Sequence, residues 1–227
     1  MKKLLMALAL LPLMAAAETE IVDGIEWTFT IIDGEAMVGC SGETSSAIDR
    51  STKGGIAVPS TLGGCSVTSV GDYAFSGCNL LTSVAIPESV TRIGDFVFAN
   101  CDALQEILVD AENPAYAAND GILYDKTMTT LLRCPCAKLT VTIPNSVTRI
   151  GDWAFADCAL LTEVTLPEGV ADIGEGALSY CFELAMVTIP ESVTNIGKQA
   201  FALCRGFTSV TIPSSVTNIG EFAFCDC

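Results

Sequence analysis

The chain has 227 residues, a formal net charge of −16, no histidine and 11 cysteines. Half of its residues are hydrophobic and 17% are charged, which is the composition of a packed core and not of a disordered acidic tail. The charge argues against nucleic acid and anionic lipid, which both require a basic patch. The missing histidine excludes Ser–His and Cys–His catalysis and removes the commonest metal ligand.

Lys2 and Lys3 precede an apolar run from Leu4 to Met14, and Ala15, Ala16 and Ala17 lead into Glu18. This pattern predicts a signal peptide, residues 1–17, cleaved after Ala17. Eleven apolar residues are too few for a membrane span, which needs roughly 20. Loss of two lysines takes the mature charge to −18. Ile25 to Ile31 then alternates with strand period, Asp33-Gly34 is a turn signal, and Glu35 to Val38 returns. Residues 18–55 are therefore expected to be an N-terminal β-hairpin cap and loop, the hairpin at 21–40 and the Ser, Thr and Gly-rich loop at 42–55.

From Ile56 a 23-residue period takes over. Pro144, Pro167, Pro190 and Pro213 align, as do Gly151, Gly174, Gly197 and Gly220, and Cys158, Cys181, Cys204 and Cys227. Upstream the frame returns at Pro87, Gly94 and Cys101, and at Gly71 and Cys78. Such a period predicts a repeat solenoid. In the block from Val164, the expected inward residues are Val164, Leu166, Val170, Ile173, Ala177, Leu178, Cys181 and Leu184. Val164 and Leu166 flank Thr165 at strand spacing, and Pro167 ends the strand. The repeat glycine is read as a bend with positive φ. The next position, Asp72, Asp95, Asp152, Glu175, Lys198 or Glu221, is read mainly as the N-cap of a short helical turn. Strands are expected near Ile56, Val84, Ile107, Val141, Val164, Val187 and Val210, a stack of about 34 Å at ~4.8 Å per coil.

Two coils depart from the period. Leu62-Gly63-Gly64-Cys65 adds a turn to the first. The interval from Pro87 to Pro144 carries about eleven extra residues. Asn113-Pro114-Ala115-Tyr116 begins that insert, and Asp120 to Tyr124 and Thr130 to Arg133 read as strands around Asp125 to Met128. A hairpin insert at about 111–136, projecting from the stack, is expected. Asp110, Glu112, Asn119, Asp120 and Asp125 lack the spacing of an EF-hand loop, so no metal is assigned.

The segment Ile143-Pro144-Asn145-Ser146-Val147-Thr148-Arg149-Ile150-Gly151-Asp152-Trp153-Ala154-Phe155-Ala156-Asp157-Cys158 resembles the BspA-like, or Treponema-type, leucine-rich repeat family. The resemblance runs from Ile56 to Cys227. It implies a right-handed leucine-rich-repeat coil of short parallel strands with short helical or irregular returns. It also implies secreted or surface-displayed proteins, some of which adhere to host matrix proteins or other microbes.

Cys78, Cys101, Cys158, Cys181, Cys204 and Cys227 fall in one column. Parallel side chains ~4.8 Å apart suit a disulfide poorly, so a ladder of buried thiols is expected. Cys40–Cys65 is the best disulfide candidate, tying the cap to the first coil. Cys134-x-Cys136 and Cys225-x-Cys227 lie too far apart to share a zinc ion.

The leading functional reading is an exported protein-interaction or adhesion module that binds an extracellular or envelope protein or glycan, without catalysis or cofactor. The candidate face comprises Ser83, Ala85, Thr140, Thr142, Glu163, Thr165, Met186, Thr188, Ser209 and Thr211. It carries no aromatic or arginine anchor, which predicts weak or multivalent binding. The alternatives are a passive envelope scaffold and, last, a carboxylate-based hydrolase, for which no Asp/Glu pair stands out. Self-association is expected through the C-terminal end, where Val210-Thr211-Ile212, Phe222, Phe224 and Cys225 are apolar. Neither nucleic acid nor membrane insertion is expected.

Overall fold

A computed structural model describes residues 16–40 and 45–227. The predicted signal peptide lies outside the described residues except for Ala16 and Ala17, as does the loop segment 41–44. β1 (Ala17–Val22), β2 (Ile25–Ile32) and β3 (Glu35–Val38) form an antiparallel meander. The predicted hairpin is its second half, and β1 is an addition to it. Asp23-Gly24 and Asp33-Gly34 make the two turns, with positive φ at both residues of each pair, the backbone that tight hairpins require. Trp27 and Phe29 are buried, and the Trp27 ring meets Phe75 edge-on at 6.1 Å.

The coils follow as β4 (Gly54–Ala57), β5 (Thr61–Leu62), β6 (Cys65–Val70), β7 (Leu81–Ile86), β8 (Arg92–Ile93), β9 (Glu106–Val109), β10 (Tyr116–Asn119), β11 (Ile122–Asp125), β12 (Thr130–Arg133), β13 (Arg149–Ile150), β14 (Glu163–Thr165), β15 (Asp172–Ile173), β16 (Met186–Thr188), β17 (Asn195–Ile196) and β18 (Asn218–Ile219). Apart from β5, which pairs antiparallel with β6, and the antiparallel β10 and β11, they make two parallel ladders of a β-solenoid. The first is β4–β7–β9 and, further on, β14–β16. The second is β3–β6–β8 and then β12–β13–β15–β17–β18. The cap thus contributes a rung, β3, to the second ladder. The expected inward residues of the Val164 block are all at most 2% exposed. β18 pairs on one side only, and Ile219 and Phe222 are exposed.

The returns differ from expectation. They contain no helix among the described residues and are chains of turns stitched from coil to coil. Trp153 N–H donates to Glu175 O at 2.8 Å, Phe155 N–H to Ala177 O at 2.7 Å and Asp157 N–H to Ser179 O at 3.1 Å. The acidic residue does not cap its own turn. Asp72 accepts from Asp95 N–H (2.8 Å) and Asp152 from Glu175 N–H (3.1 Å), each one coil away. Positive φ belongs not to the repeat glycine but to the second residue after it: Tyr73, Phe96, Trp153, Gly176, Gln199 and Phe222. The repeat glycines serve close stacking instead. A Cβ on Gly174 would lie 2.3 Å from Asp152 Oδ1 and 2.8 Å from Asp152 N, and one on Gly220 would lie 2.3 Å from Lys198 N.

The insert also departs from expectation, for it is built into the stack. β10, β11 and β12 form an antiparallel sheet, and β12 pairs onward in parallel with β13. Ile122, Leu123, Tyr124, Leu131 and Cys134 are buried. Leu123 joins the N-terminal core cluster, whereas Ile122 and Tyr124 join the C-terminal one. β11 therefore partitions the solenoid core, and a strand buried on both faces reads as a continuous apolar run. Asn113, which stands where the frame has Val90, is fully buried. Its amide donates to Pro87 O and Val90 O (both 2.8 Å), and its carbonyl accepts from Ala115 N–H and Tyr116 N–H.

Candidate interaction surfaces

The threonine-lined face is discontinuous. Glu163 and Thr165 on β14 sit beside Met186 and Thr188 on β16, all exposed. Ser83 and Ala85 on β7 are half-buried and sit beside Glu106 and Leu108 on β9. Thr140, Thr142, Ser209 and Thr211 are exposed but lie outside the strands. The ten residues thus form two separate strand patches with irregular segments beside them. The largest exposed apolar side chains on these strands are Met186 and Leu108.

The returns carry a second surface that sequence reasoning missed. Tyr73, Phe96 and Trp153 form an aromatic row. Tyr73 and Phe96 stack at 5.3 Å, and Phe96 meets Trp153 at 5.1 Å with a tilt of 50°. All three hold φ between 53° and 57°, a left-handed backbone that costs a non-glycine residue on the order of 1–3 kcal/mol. That backbone turns the side chains along the stack. The next coil has Gly176 at the same place, and a Cβ there would fall 2.2 Å from the Trp153 ring. Trp153 therefore lies across Gly176. It is half-buried, as are Tyr73 and Phe96.

Trp153 is the wall between two cavities. The smaller, about 260 Å³, is bounded by Trp153, Tyr180, Leu203 and Phe222. The larger, about 310 Å³, opens where the insert interrupts the second ladder. β8 pairs with β6 on one side and has no strand on the other, and Ile93 N–H donates to the Tyr116 hydroxyl at 2.9 Å. Phe96, Tyr116 and Trp153 wall this cavity, Leu123 and Leu132 add apolar surface, and Asp95, Asp152 and Arg149 are exposed at its rim. Arg149 pairs with Asp152 at 3.0 Å and Asp172 at 2.9 Å. Arg133 is buried in the same wall and donates to Trp153 O (2.8 Å) and Phe98 O (3.2 Å), which ties the coils on either side of the interruption. A cleft of this size with aromatic walls and a few polar groups has the character of a ligand site.

The cysteine column is packed as expected except at its last member, Cys227, which is exposed on the terminal coil. Cys78, Cys101, Cys158, Cys181 and Cys204 are buried free thiols. Cys101, Cys181 and Cys204 each donate to a carbonyl of the preceding coil, Phe75 O, Phe155 O and Leu178 O, at 3.1–3.2 Å. Burial, with the neighbouring Cys136 and Cys78, pushes the Cys101 thiol up to about 12, and burial beside Cys227 does the same for Cys204. Cys65 is a free thiol, so the expected Cys40–Cys65 bridge is not formed. Cys134 and Cys136 are buried beside Arg133 and are not paired with Cys225 or Cys227. Among the described residues no helix is long and apolar enough to cross a membrane.

Comparison with known proteins places this geometry in context. The sequence profile of the BspA type leucine rich repeat region matches residues 60–119 and 133–227 in six copies. The unmatched stretch between them, residues 120–132, holds β11 and all of β12 but Arg133. A leucine rich cell surface protein of Faecalibacterium prausnitzii A2-165 is 30% identical with a TM-score of 0.62, over 77% of this chain and 51% of that one. The chain thus spans about half of that protein. The T. pallidum leucine rich repeat protein TpLRR is 26% identical with a TM-score of 0.54, over 88% of this chain and 86% of that one. The pneumococcal vaccine antigen PcpA, 15% identical with a TM-score of 0.58 over 89% of this chain and 78% of that one, shares the fold. No curated protein matches.

Proposed function

The chain belongs to the BspA-type leucine-rich repeat family, and on that basis we propose that it is an exported interaction module. It binds an extracellular or envelope protein or glycan through the solenoid surface, without catalysis. The observation that carries this reading is the aromatic row Tyr73–Phe96–Trp153 with a cavity beside it. Aromatic side chains are the usual anchors of an interface, because they bury much area at little entropic cost. The threonine-lined strands supply a surface for supporting contacts. Export is supported by the N-terminal pattern of residues 1–17 and by the surface location of the Faecalibacterium relative.

The test is a binding panel of matrix proteins, glycans and whole cells, run with the wild-type chain and with Phe96→Gly and Trp153→Gly. Glycine suits the left-handed backbone at both positions, as Gly176 shows, so these variants remove the anchors and leave the turn unstrained. Loss of binding in the variants supports the reading. A chain that binds nothing on the panel is the passive scaffold instead.

A further inference from the structure

Each regular return passes hydrogen bonds to the next coil. Tyr73 and Phe75 N–H donate to Asp95 O and Val97 O, and Trp153 and Phe155 N–H donate to Glu175 O and Ala177 O. At the interrupted coil the equivalent donors are Phe96 N–H and Phe98 N–H, and neither meets a carbonyl among the described residues. Both residues line the 310 Å³ cavity. Arg133 lines it too and is only 8% exposed. Among the described residues its Nε–H has no acceptor and no carboxylate lies within ion-pair distance, Asp157 acting on it only at longer range, while Nη2 also reaches Cys136 Sγ at 3.4 Å. A buried guanidinium with an unpartnered N–H and no direct ion pair is costly, and an anion that accepts that N–H relieves the cost. Two backbone donors without a protein acceptor and one buried cation without a direct ion pair therefore share a single cavity wall.

The same cavity offers the Phe96, Trp153 and Tyr116 rings as a surface for a flat ring. Asp95 and Asp152 are exposed at the rim and can accept from hydroxyl groups. A bare carboxylate would use the donors and leave the rim unused, and a neutral sugar would leave Arg133 without a direct anionic partner. We propose that the cavity binds an acidic monosaccharide residue of a glycan, a hexuronate or sialate, with its carboxylate toward Arg133 and its ring against Trp153. With its Nη groups held by Trp153 O and Phe98 O, Arg133 keeps its Nε–H free to donate one charge-assisted hydrogen bond to a carboxylate. The chain's net charge of −16 opposes any anion at long range, but at physiological ionic strength that field is screened within about 8 Å. The inference rests on the reading of the chain as a binding module and names its glycan ligand.

The experiment is calorimetric titration of the purified chain at physiological salt. The probes are sodium galacturonate and N-acetylneuraminate, each against its neutral counterpart, galactose and N-acetylmannosamine, with sodium benzoate as a ring carboxylate lacking hydroxyls. At least one acidic sugar should bind about tenfold or more tightly than both its counterpart and benzoate, with the affinity falling about tenfold in Trp153→Gly. Arg133→Lys should reduce the preference for the acid, and if that variant does not fold, Trp153→Gly carries the test. Equal binding of acid and neutral sugar, binding of benzoate as tight as the acids, binding unchanged in Trp153→Gly, or no binding of either acid overturns the proposal. If both acids fail while panel binding still depends on Phe96 and Trp153, this inference falls and the module reading stands. If the panel also fails, both fall.

Discussion

Substituting alanine for Gly174 tests why the repeat glycine is there. The new Cβ would lie 2.3 Å from Asp152 Oδ1, 2.8 Å from Asp152 N and 2.8 Å from Gly151 C. The carboxylate can swing aside, but the two backbone atoms cannot, so the coils must part locally. That strains the Gly174 N–H to Ile150 O bond (2.9 Å), the Trp153 N–H to Glu175 O bond (2.8 Å) and the Glu175 N–H to Asp152 bond (3.1 Å). At about 0.5–1.5 kcal/mol per bond, with each only partly lost, the expected cost is about 2–3 kcal/mol. Gly169 is the control. It is also a non-strand glycine without positive φ, but its Cβ would meet nothing closer than 3.4 Å, at Val147 O. Gly169→Ala should lie within about 1 kcal/mol of wild type and can stabilise by restricting the unfolded chain. Urea denaturation followed by far-UV circular dichroism measures both. A Gly174→Ala chain as stable as wild type, or a Gly169→Ala chain equally weakened, would refute the close-stacking argument.

Other outcomes follow from the same structure. Cys101 and Cys204, with thiols near 12 against an ordinary 9.0, should resist alkylation at pH 8 in the native chain and react fully after denaturation without reductant. Disulfides between successive column members, found by mass spectrometry, would contradict the thiol ladder. Burial acts to raise the Asp125 carboxyl, but hydrogen bonds from the Thr127 and Thr129 hydroxyls and the Thr129 and Thr130 N–H groups outweigh it and hold it below 3.8. Its contribution is therefore present above the unfolded value and lost as pH falls through the lower folded one. Asp125→Asn should flatten the acid end of the stability profile, and an unchanged slope below pH ~4 would count against this role. Deleting residues 114–134 should abolish cooperative unfolding, because Ile122, Leu123, Tyr124 and Leu131 are core; a shortened chain that unfolds like wild type would show that the insert is dispensable.

The parts of this molecule legible in the sequence are those set by contacts within one coil. The alternation at Val164 and Leu166, the stop at Pro167 and the buried Cys181 all follow from strand period and side-chain size. What depends on contact between coils was not legible. The role of Asp152 is set by an N–H one coil away, at Glu175, so its local context suggested an N-cap. Counting extra residues suggested that the insert loops out, yet Ile122-Leu123-Tyr124 has no polar alternation, and that unbroken apolar run was the sign of a strand buried on both faces. The aromatic row was visible as one column, Tyr73, Phe96 and Trp153, but its exposure depends on a left-handed backbone that the frame alone does not reveal.

If binding is anchored on the aromatic returns and not on the threonine-lined strands, the two surfaces must respond differently to substitution. Surface plasmon resonance over immobilised matrix proteins and glycans should compare wild type, Phe96→Gly/Trp153→Gly and Thr165→Lys/Thr188→Lys. At least one ligand should lose about tenfold or more of its affinity in the aromatic variant and less in the threonine variant, with both variants folded. No ligand for the wild type, or undiminished binding by the aromatic variant, would contradict that anchoring.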